Sequence, residues 1–328
     1  MSSRQAPLLV TPSEVSNVPN TVFVDATWVM PNVPRKPREE YDAFRIPRAR
    51  FLDIDEVATH SEEGKKLGLK HMMPSGELFA KACENLGISR DSHVVLYDSH
   101  GLFSSPRALY MFRAFSHVNS SVLNGGLPRW VDEGYPIESG PLHGASSTSG
   151  KYPVPELNKD AVRSYSQMVN NSNLPASDPT SELVIDARSR GRYLGTDPEP
   201  RPIPSGHIPN SFSLPFNVFT ESHEFTNTSF LQSHPAFPFK SYTTLRPPTE
   251  INAELTKAVG PVYAESILEG ERKVVATCGS GMTAAVLWIG LSSVWEARGR
   301  QLPTLGIYDE SWTGYASRKE SKIATGEQ

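Results

Sequence analysis

The chain has 328 residues, 38% of them hydrophobic and 21% charged, with a net charge of −4. That length allows two domains of ordinary size, and the composition is that of a globular chain rather than a disordered or fibrous one. No run of Lys or Arg exceeds a pair, and no apolar run approaches the roughly 18 residues of a membrane span, so neither nucleic acid nor a membrane is expected as a partner. Only two cysteines occur, Cys83 and Cys278, which is too few for a disulfide framework and fits a reducing compartment. The cytoplasm is the expected location, with the mitochondrion as the alternative. The first seven residues hold one basic side chain and no hydrophobic stretch, unlike a secretory signal and only weakly like a transit peptide. The nine histidines are scattered without metal-ligand spacing, and neither a metal nor a cofactor is expected.

In chain order, short unbroken apolar runs alternate with helix-like segments. Val22-Phe23-Val24 and Val94-Val95-Leu96 read as strands, and helices are predicted over 75–86, 105–115, 159–169 and 283–298. Within 75–86, Leu78, Phe79, Ala82, Cys83 and Leu86 recur at helical spacing and Gly87 is placed to end the helix, so Cys83 reads as a core residue. Residues 139–158, rich in Ser, Gly and Pro over most of their length, read as a linker. A polar and aromatic excursion over about 222–248 has no assignable role.

The two halves repeat one plan. Val22-Phe23-Val24-Asp25-Ala26 is echoed by Leu183-Val184-Ile185-Asp186-Ala187, and Ile46-Pro47-Arg48 by Ile208-Pro209-Asn210. The run ending at Asp98 is echoed by the run ending at Cys278, and Val122 to Trp130 by Gly306 to Trp312. Alternation of this kind predicts an α/β fold of two tandem domains, each a mainly parallel sheet flanked by helices. The expected boundaries are 8–138 for a first domain with Asp98 at the Cys position, 139–158 for the linker, and 159–328 for a second domain carrying Cys278.

Cys278 follows the strand Val274-Val275-Ala276 and opens Gly279-Ser280-Gly281-Met282-Thr283 before a helix. The carboxyl end of a parallel strand is where ligands bind in such sheets. Glycines let backbone N–H groups close around the sulfur, and those amides with the helix amino terminus favour a thiolate. A buried structural cysteine would need no such loop.

These features resemble the tandem-domain rhodanese superfamily, and Ala276-Thr277-Cys278-Gly279-Ser280-Gly281 followed by Thr283-Ala284 looks like the 3-mercaptopyruvate sulfurtransferases. Phe51-Leu52-Asp53-Ile54-Asp55, His71-Met72-Met73-Pro74, Leu123-Asn124-Gly125-Gly126 and the run from Gly191 to Arg201 match as well. The resemblance implies transfer of sulfur from 3-mercaptopyruvate to Cys278 as a persulfide, release of pyruvate, and delivery to a thiol acceptor, thioredoxin-like or small. It also implies that Arg192 and Arg201 bind the substrate, and that Gly279, Gly281, Met282 and Thr283 line the loop. Ser280, Asp55 and His71 match the positions that act on the substrate's proton. Surface arginines, a loop histidine and a helix-capping aspartate are the ordinary readings of these types. His207, in Gly-His-Ile-Pro, reads as structural. Glu310 stands where the family commonly has Gly, and Met282 where Val is frequent.

Two neighbouring activities compete with this reading. A thiosulfate sulfurtransferase would favour basic residues directly after the cysteine, where this chain has Gly279 and Ser280. A relay protein for tRNA thiolation would take its persulfide from a cysteine desulfurase through the same Cys278. A Cys-x5-Arg phosphatase is excluded, because the sixth residue after Cys278 is Ala284.

Overall fold

The computed structural model describes residues 5–141, 150–300 and 305–327; positions 142–149 of the expected linker lie outside the described residues. In chain order the strands are β1 (Leu9–Val10), β2 (Thr21–Asp25), β3 (Arg50–Phe51), β4 (His93–Tyr97), β5 (Ser120–Leu123), β6 (Val162–Arg163), β7 (Leu183–Asp186), β8 (Ser211–Ser213), β9 (Thr220–Glu224), β10 (Ser241–Leu245), β11 (Val274–Thr277) and β12 (Leu305–Tyr308). β1-β5-β4-β2-β3 form one five-stranded sheet and β6-β12-β11-β7-β8 a second, all pairs parallel, so both sheets follow the same strand permutation. The central strands are mostly apolar, with Val94-Val95-Leu96-Tyr97 and Val274 to Thr277 buried on both faces, as parallel sheets require. The duplication reaches single backbone angles. Arg48 and Asn210 take φ of 63° and 62° at matching positions, and Gly126 and Ser311 take 56° and 50°.

The chain divides into two units. The first contains Met1–Val57, Pro74–Leu157 and Thr220–Leu245; the second contains Ala58–Met73, Asn158–Phe219 and Arg246–Gln328. Two segments therefore fall outside the half of the sequence that holds them. The excursion left without a role is an antiparallel hairpin of β9 and β10 around the helix Thr228–Ser233, and it completes the first unit's core. Phe225, Phe237 and Phe239 join Tyr41, Trp130 and Leu127 there. Their rings meet in edge and tilted pairs, with centroids 5.6 Å apart for Phe225–Phe237 and 5.0 Å for Phe237–Phe239. Asp132 Oδ1 accepts from the amides of Thr226 and Asn227, and Asn124 Oδ1 from that of Leu245.

Helices form over Gly76–Asn85, Ser105–Ala114 and Ala284–Ala297, close to the predicted spans. Cys83 is fully buried, whereas Leu78 is exposed in the first turn, because Phe79, Ala80 and Cys83 make the inward face. The helix predicted over 159–169 starts later. Val162 and Arg163 form edge strand β6 beside Ile307 and Tyr308, and a capping box between Ser164 and Gln167 starts the helix Tyr165–Ser172.

One difference between the repeats has consequences for stability. Asp186 at the end of β7 is paired with Arg188, but its counterpart Asp25 has Thr27 in place of the arginine, and the Thr27 amide and hydroxyl bond its carboxylate. Burial pushes the Asp25 carboxyl up to about 7, Thr27 opposing and the nearby Asp98 charge adding to the rise. The folded chain then keeps this proton while the unfolded chain releases it, so the contribution of Asp25 to stability falls as pH rises from about 4 to about 7. Asp25→Asn should remove that slope. The variant is expected to melt roughly 5 °C above wild type at pH 7.5, with the gap closing toward pH 4, as measured by thermal unfolding across the range.

Candidate active site

Within the second unit, β11 runs buried to Thr277 and delivers Cys278 at its carboxyl end, 2% exposed. The Gly281 amide donates to Cys278 Sγ at 3.1 Å. Gly281 takes φ of 83°, a region a side chain would strain, so the turn that points this amide at the sulfur depends on glycine. The helix Ala284–Ala297 begins just beyond, with Thr283 at its cap. Gly279, Ser280 and Thr283 are half-buried, and Gly281 and Met282 are buried beneath them.

The loop is held from the helix Ser311–Ala316. The amides of Trp312 and Thr313 donate to the carbonyls of Cys278 (2.9 Å) and Gly279 (3.0 Å), and the Thr313 hydroxyl adds a second bond to Gly279 O at 2.6 Å. Ser311 Oγ accepts from the Cys278 amide at 3.1 Å, donates to Tyr308 O at 2.8 Å, and lies 3.9 Å from the sulfur. Glu310 does not crowd this loop. Its carboxylate is turned along its own helix, to Arg318.

Both sequence-predicted arginines come to the loop. A Cβ on Gly279 would lie 3.1 Å from Arg192 Nη2 and 3.6 Å from Arg201 Nη1, so the two guanidinium groups rest close against the Gly279 backbone. Arg192 is fixed by Glu199, through Nη2–Oε2 at 2.5 Å and Nε–Oε1 at 3.1 Å. Glu199 in turn accepts from Arg188 Nη1 at 2.8 Å, and Arg188 binds Asp186 at 2.6 Å and Gly206 O at 2.7 Å. Arg188 also lies 4.3 Å over the Trp312 ring. Burial opposes the charge on Arg188, but Asp186 and Glu199 more than offset it and hold the guanidinium above its ordinary value.

His71 is buried in the second unit, on the 58–73 excursion, whose end is tied by the Met73 amide donating to Asp309 Oδ2 at 2.6 Å. Asp55 belongs to the first unit, where its carboxylate accepts from Trp28 Nε1 at 3.3 Å. His207 is buried with its ring stacked on Tyr193 at 3.8 Å and Nδ1 2.8 Å from the Tyr193 carbonyl. Asp186, Arg188, Glu199, Ser311 and Thr313 were not singled out from sequence. The signal for the first was available, since Asp-Ala recurs in both repeats while Arg follows it only in the second.

The first unit shows what the same kind of loop does with a fixed anion. The Asp98 carboxylate accepts from the amides of His100, Gly101, Phe103, Ser104 and Ser105 and from the Ser105 hydroxyl, all within 3.0 Å. Burial alone would raise its pKa, but His100 and these donors keep it below the ordinary range. That cage is closed on its own side chain and offers no nucleophile.

A polar cavity of about 570 Å³ opens at the opposite, amino-terminal edge of the second sheet, lined by Asp160, Arg163, Asn171, Glu182 and Lys273 among others. Arg163 in it is already bonded to Glu182 and Asp160 O. Among the described residues no cluster of three or more His, Cys, Asp or Glu is arranged to hold a metal, and no helix is long and apolar enough to cross a membrane.

A family profile described as a rhodanese-like domain matches residues 16–133. The chain is 34% identical over 327 residues to a thiosulfate/3-mercaptopyruvate sulfurtransferase 1, mitochondrial, of Arabidopsis thaliana, covering 94% of this chain and 75% of that one. It is 31% identical to a probable 3-mercaptopyruvate sulfurtransferase of Schizosaccharomyces pombe, covering 94% and 92%. The crystal structure of the Tum1 protein from Saccharomyces cerevisiae superposes with a TM-score of 0.74 at 26% identity, covering 98% of this chain and all of that one.

Two predictions follow from this geometry. Iodoacetamide at pH 7 should modify Cys278 before Cys83, whose thiol burial pushes well up; peptide mass spectrometry gives the order. Arg188→Leu should destabilise the second unit by roughly 3–5 kcal/mol, because it leaves Asp186 buried without its ion-pair partner and Glu199 with Arg192 alone, as read by denaturant unfolding.

Proposed function

We propose that this chain, which belongs to the tandem-domain rhodanese superfamily and is a sulfurtransferase, takes sulfur from 3-mercaptopyruvate onto Cys278 and passes it to a thiol. The observation that carries this reading is the seating of Cys278 Sγ on the Gly281 amide with Arg192 and Arg201 against the same loop. A 2-oxo acid presents a planar carboxylate and a carbonyl oxygen, which suit paired guanidinium donors.

The reaction balances as two displacements at sulfur. The Cys278 thiolate attacks the substrate sulfur; the S–S bond forms, the C–S bond breaks, and its electron pair leaves on the three-carbon fragment as the enolate of pyruvate. A proton then completes pyruvate. His71, on a segment tied beside the Cys278 loop, and Ser280 within that loop are the groups we assign to this proton. Asp55 joins them on the family's pattern alone. The persulfide, once the substrate's S–H proton has passed to the enolate, carries negative charge near the backbone donors of Gly279, Gly281, Met282 and Thr283. An acceptor thiolate next attacks the outer sulfur, takes it, and returns Cys278 as thiolate. A thioredoxin-like protein or a small thiol serves as acceptor. The two free cysteines and a relative named as mitochondrial accord with a reducing compartment, cytoplasmic or mitochondrial.

Incubation with 3-mercaptopyruvate should release pyruvate and add one sulfur to the peptide carrying Cys278, and Cys278→Ser should abolish both while keeping the fold. Absence of that mass gain in active material overturns the reading. Arg192→Ala should raise KM by roughly ten- to a hundredfold with a smaller change in kcat, because it removes binding shared by ground and transition states. kcat/KM should be higher for 3-mercaptopyruvate than for thiosulfate, since no cation follows Cys278 in the loop; the reverse ranking makes thiosulfate the donor.

A further inference from the structure

Between Ala58 and Met73 the chain makes a small excursion that carries His71. Its one helix, Glu62–Lys66, has five residues, too short to hold a shape by itself. The amide of Thr59 closes it on Met72 O at 3.3 Å. Two side-chain ties then connect it to the stretch 309–318. On one side of His71 the Met73 amide meets Asp309. On the other side Glu63 Oε1 accepts from Arg318 Nη2 at 2.9 Å.

Arg318 is built for this. Its side chain is only 11% exposed while Glu63 is 72% exposed. Arg318 Nη1 binds Glu310 Oε2 and donates to Gly314 O at 2.6 Å, and its guanidinium lies 4.2 Å over the Tyr165 ring. A Cβ on Gly314 would come within 2.4 Å of Glu310, so the glycine leaves the space that the Glu310 side chain fills. Glu310, the residue that stood apart in the loop motif, thus seats an arginine that reaches the excursion. The same short helix braces Cys278 and Gly279 from its other end.

We propose that Arg318, seated by Glu310, is a positioning residue: it sets the 58–73 excursion, and with it His71, against the helix that also holds the Cys278 loop. This rests on the proton-transfer role assigned to His71 above. An ion pair with one exposed partner adds little to global stability, so its effect falls on placement and turnover.

The test compares wild type, Arg318→Gln, Glu63→Gln, Glu63→Asp and His71→Ala by amide hydrogen exchange and by steady-state kinetics with 3-mercaptopyruvate. Exchange over 59–72 should quicken about tenfold in Arg318→Gln and less in Glu63→Gln. kcat should fall about three- to tenfold with KM held within about twofold, the alkylation rate of Cys278 should not change, and Glu63→Asp should behave as wild type. Unchanged exchange, or faster exchange with wild-type kcat, overturns the proposal. If Arg318→Gln fails to fold, Glu63→Gln decides alone, since it leaves the Arg318–Glu310 pair intact. Wild-type turnover by His71→Ala shows that the role given to His71 is wrong and removes the positioning claim with it. A His71→Ala defect beside an unaffected kcat in both clamp variants overturns the clamp only.

Discussion

Three backbone-directed bonds from one short helix, those of the Trp312 and Thr313 amides and the Thr313 hydroxyl, fix the carbonyls of Cys278 and Gly279. With these carbonyls held outward, the Gly281 amide is left to point inward at the sulfur. Ser311 completes the arrangement from a left-handed backbone conformation, accepting the Cys278 amide while donating to Tyr308 O. Such a conformation is costly for a residue with a Cβ, and it persists where the surrounding bonds over-determine it. In the first repeat glycine occupies the matching position at Gly126, and no sulfur depends on the outcome.

The arginines beside the loop owe their placement to a second constraint, a chain of buried charge running Asp186, Arg188, Glu199, Arg192. Every internal member touches two partners of opposite sign, so the run leaves its positive end, Arg192, next to Gly279 and partly exposed. Arg188 also lies over Trp312, which couples the charge chain to the helix that braces the loop. The first repeat keeps an Arg35–Glu40 pair against Ser99 of its own loop but lacks the arginine that would join such a pair to the strand-end aspartate. Thr27 replaces the arginine, Asp25 is left to hydrogen bonds alone, and the loop beyond it is closed on Asp98. A duplicated sheet therefore ends in a thiol in one repeat and a caged carboxylate in the other, and the difference lies in a few polar substitutions rather than in the strands.

Much of this was legible in the residues. Unbroken apolar runs ending in Asp-Ala, Asp98 or Cys278 marked the central strands, because strands buried on both faces have little choice of composition. Gly-Ser-Gly after the cysteine announced a loop of amides, and Arg192 and Arg201 stood in a motif that placed them. Less visible was anything that depended on non-local packing. The hairpin over Thr220–Leu245 carries its aromatic residues at no regular period, so nothing local assigned it to the core around Tyr41 and Trp130. Val162 and Arg163 form a two-residue edge strand that exists only because Ile307 and Tyr308 offer it a partner. Glu310 stands where the family commonly has Gly, and its carboxylate turns to Arg318, a partner eight residues on that no helical spacing pairs with it.

The choice of neutral donors around the sulfur has a chemical logic. A cation fixed directly on the thiolate would stabilise it strongly, but nucleophilicity falls as a thiol becomes more acidic, and the best attacking thiol has a pKa near the ambient pH. Amides stabilise the anion more gently, and they serve a persulfide as well as a thiolate because they are spread along the loop instead of concentrated at one point. The positive charge is kept at one remove, on Arg192 and Arg201 against Gly279, where the function proposed above has it meet the carboxylate of the substrate rather than the sulfur itself. On that proposal the two tasks are separate, backbone for sulfur and guanidinium for carboxylate, and the loop is free to release the outer sulfur to an acceptor once the charged three-carbon fragment has gone.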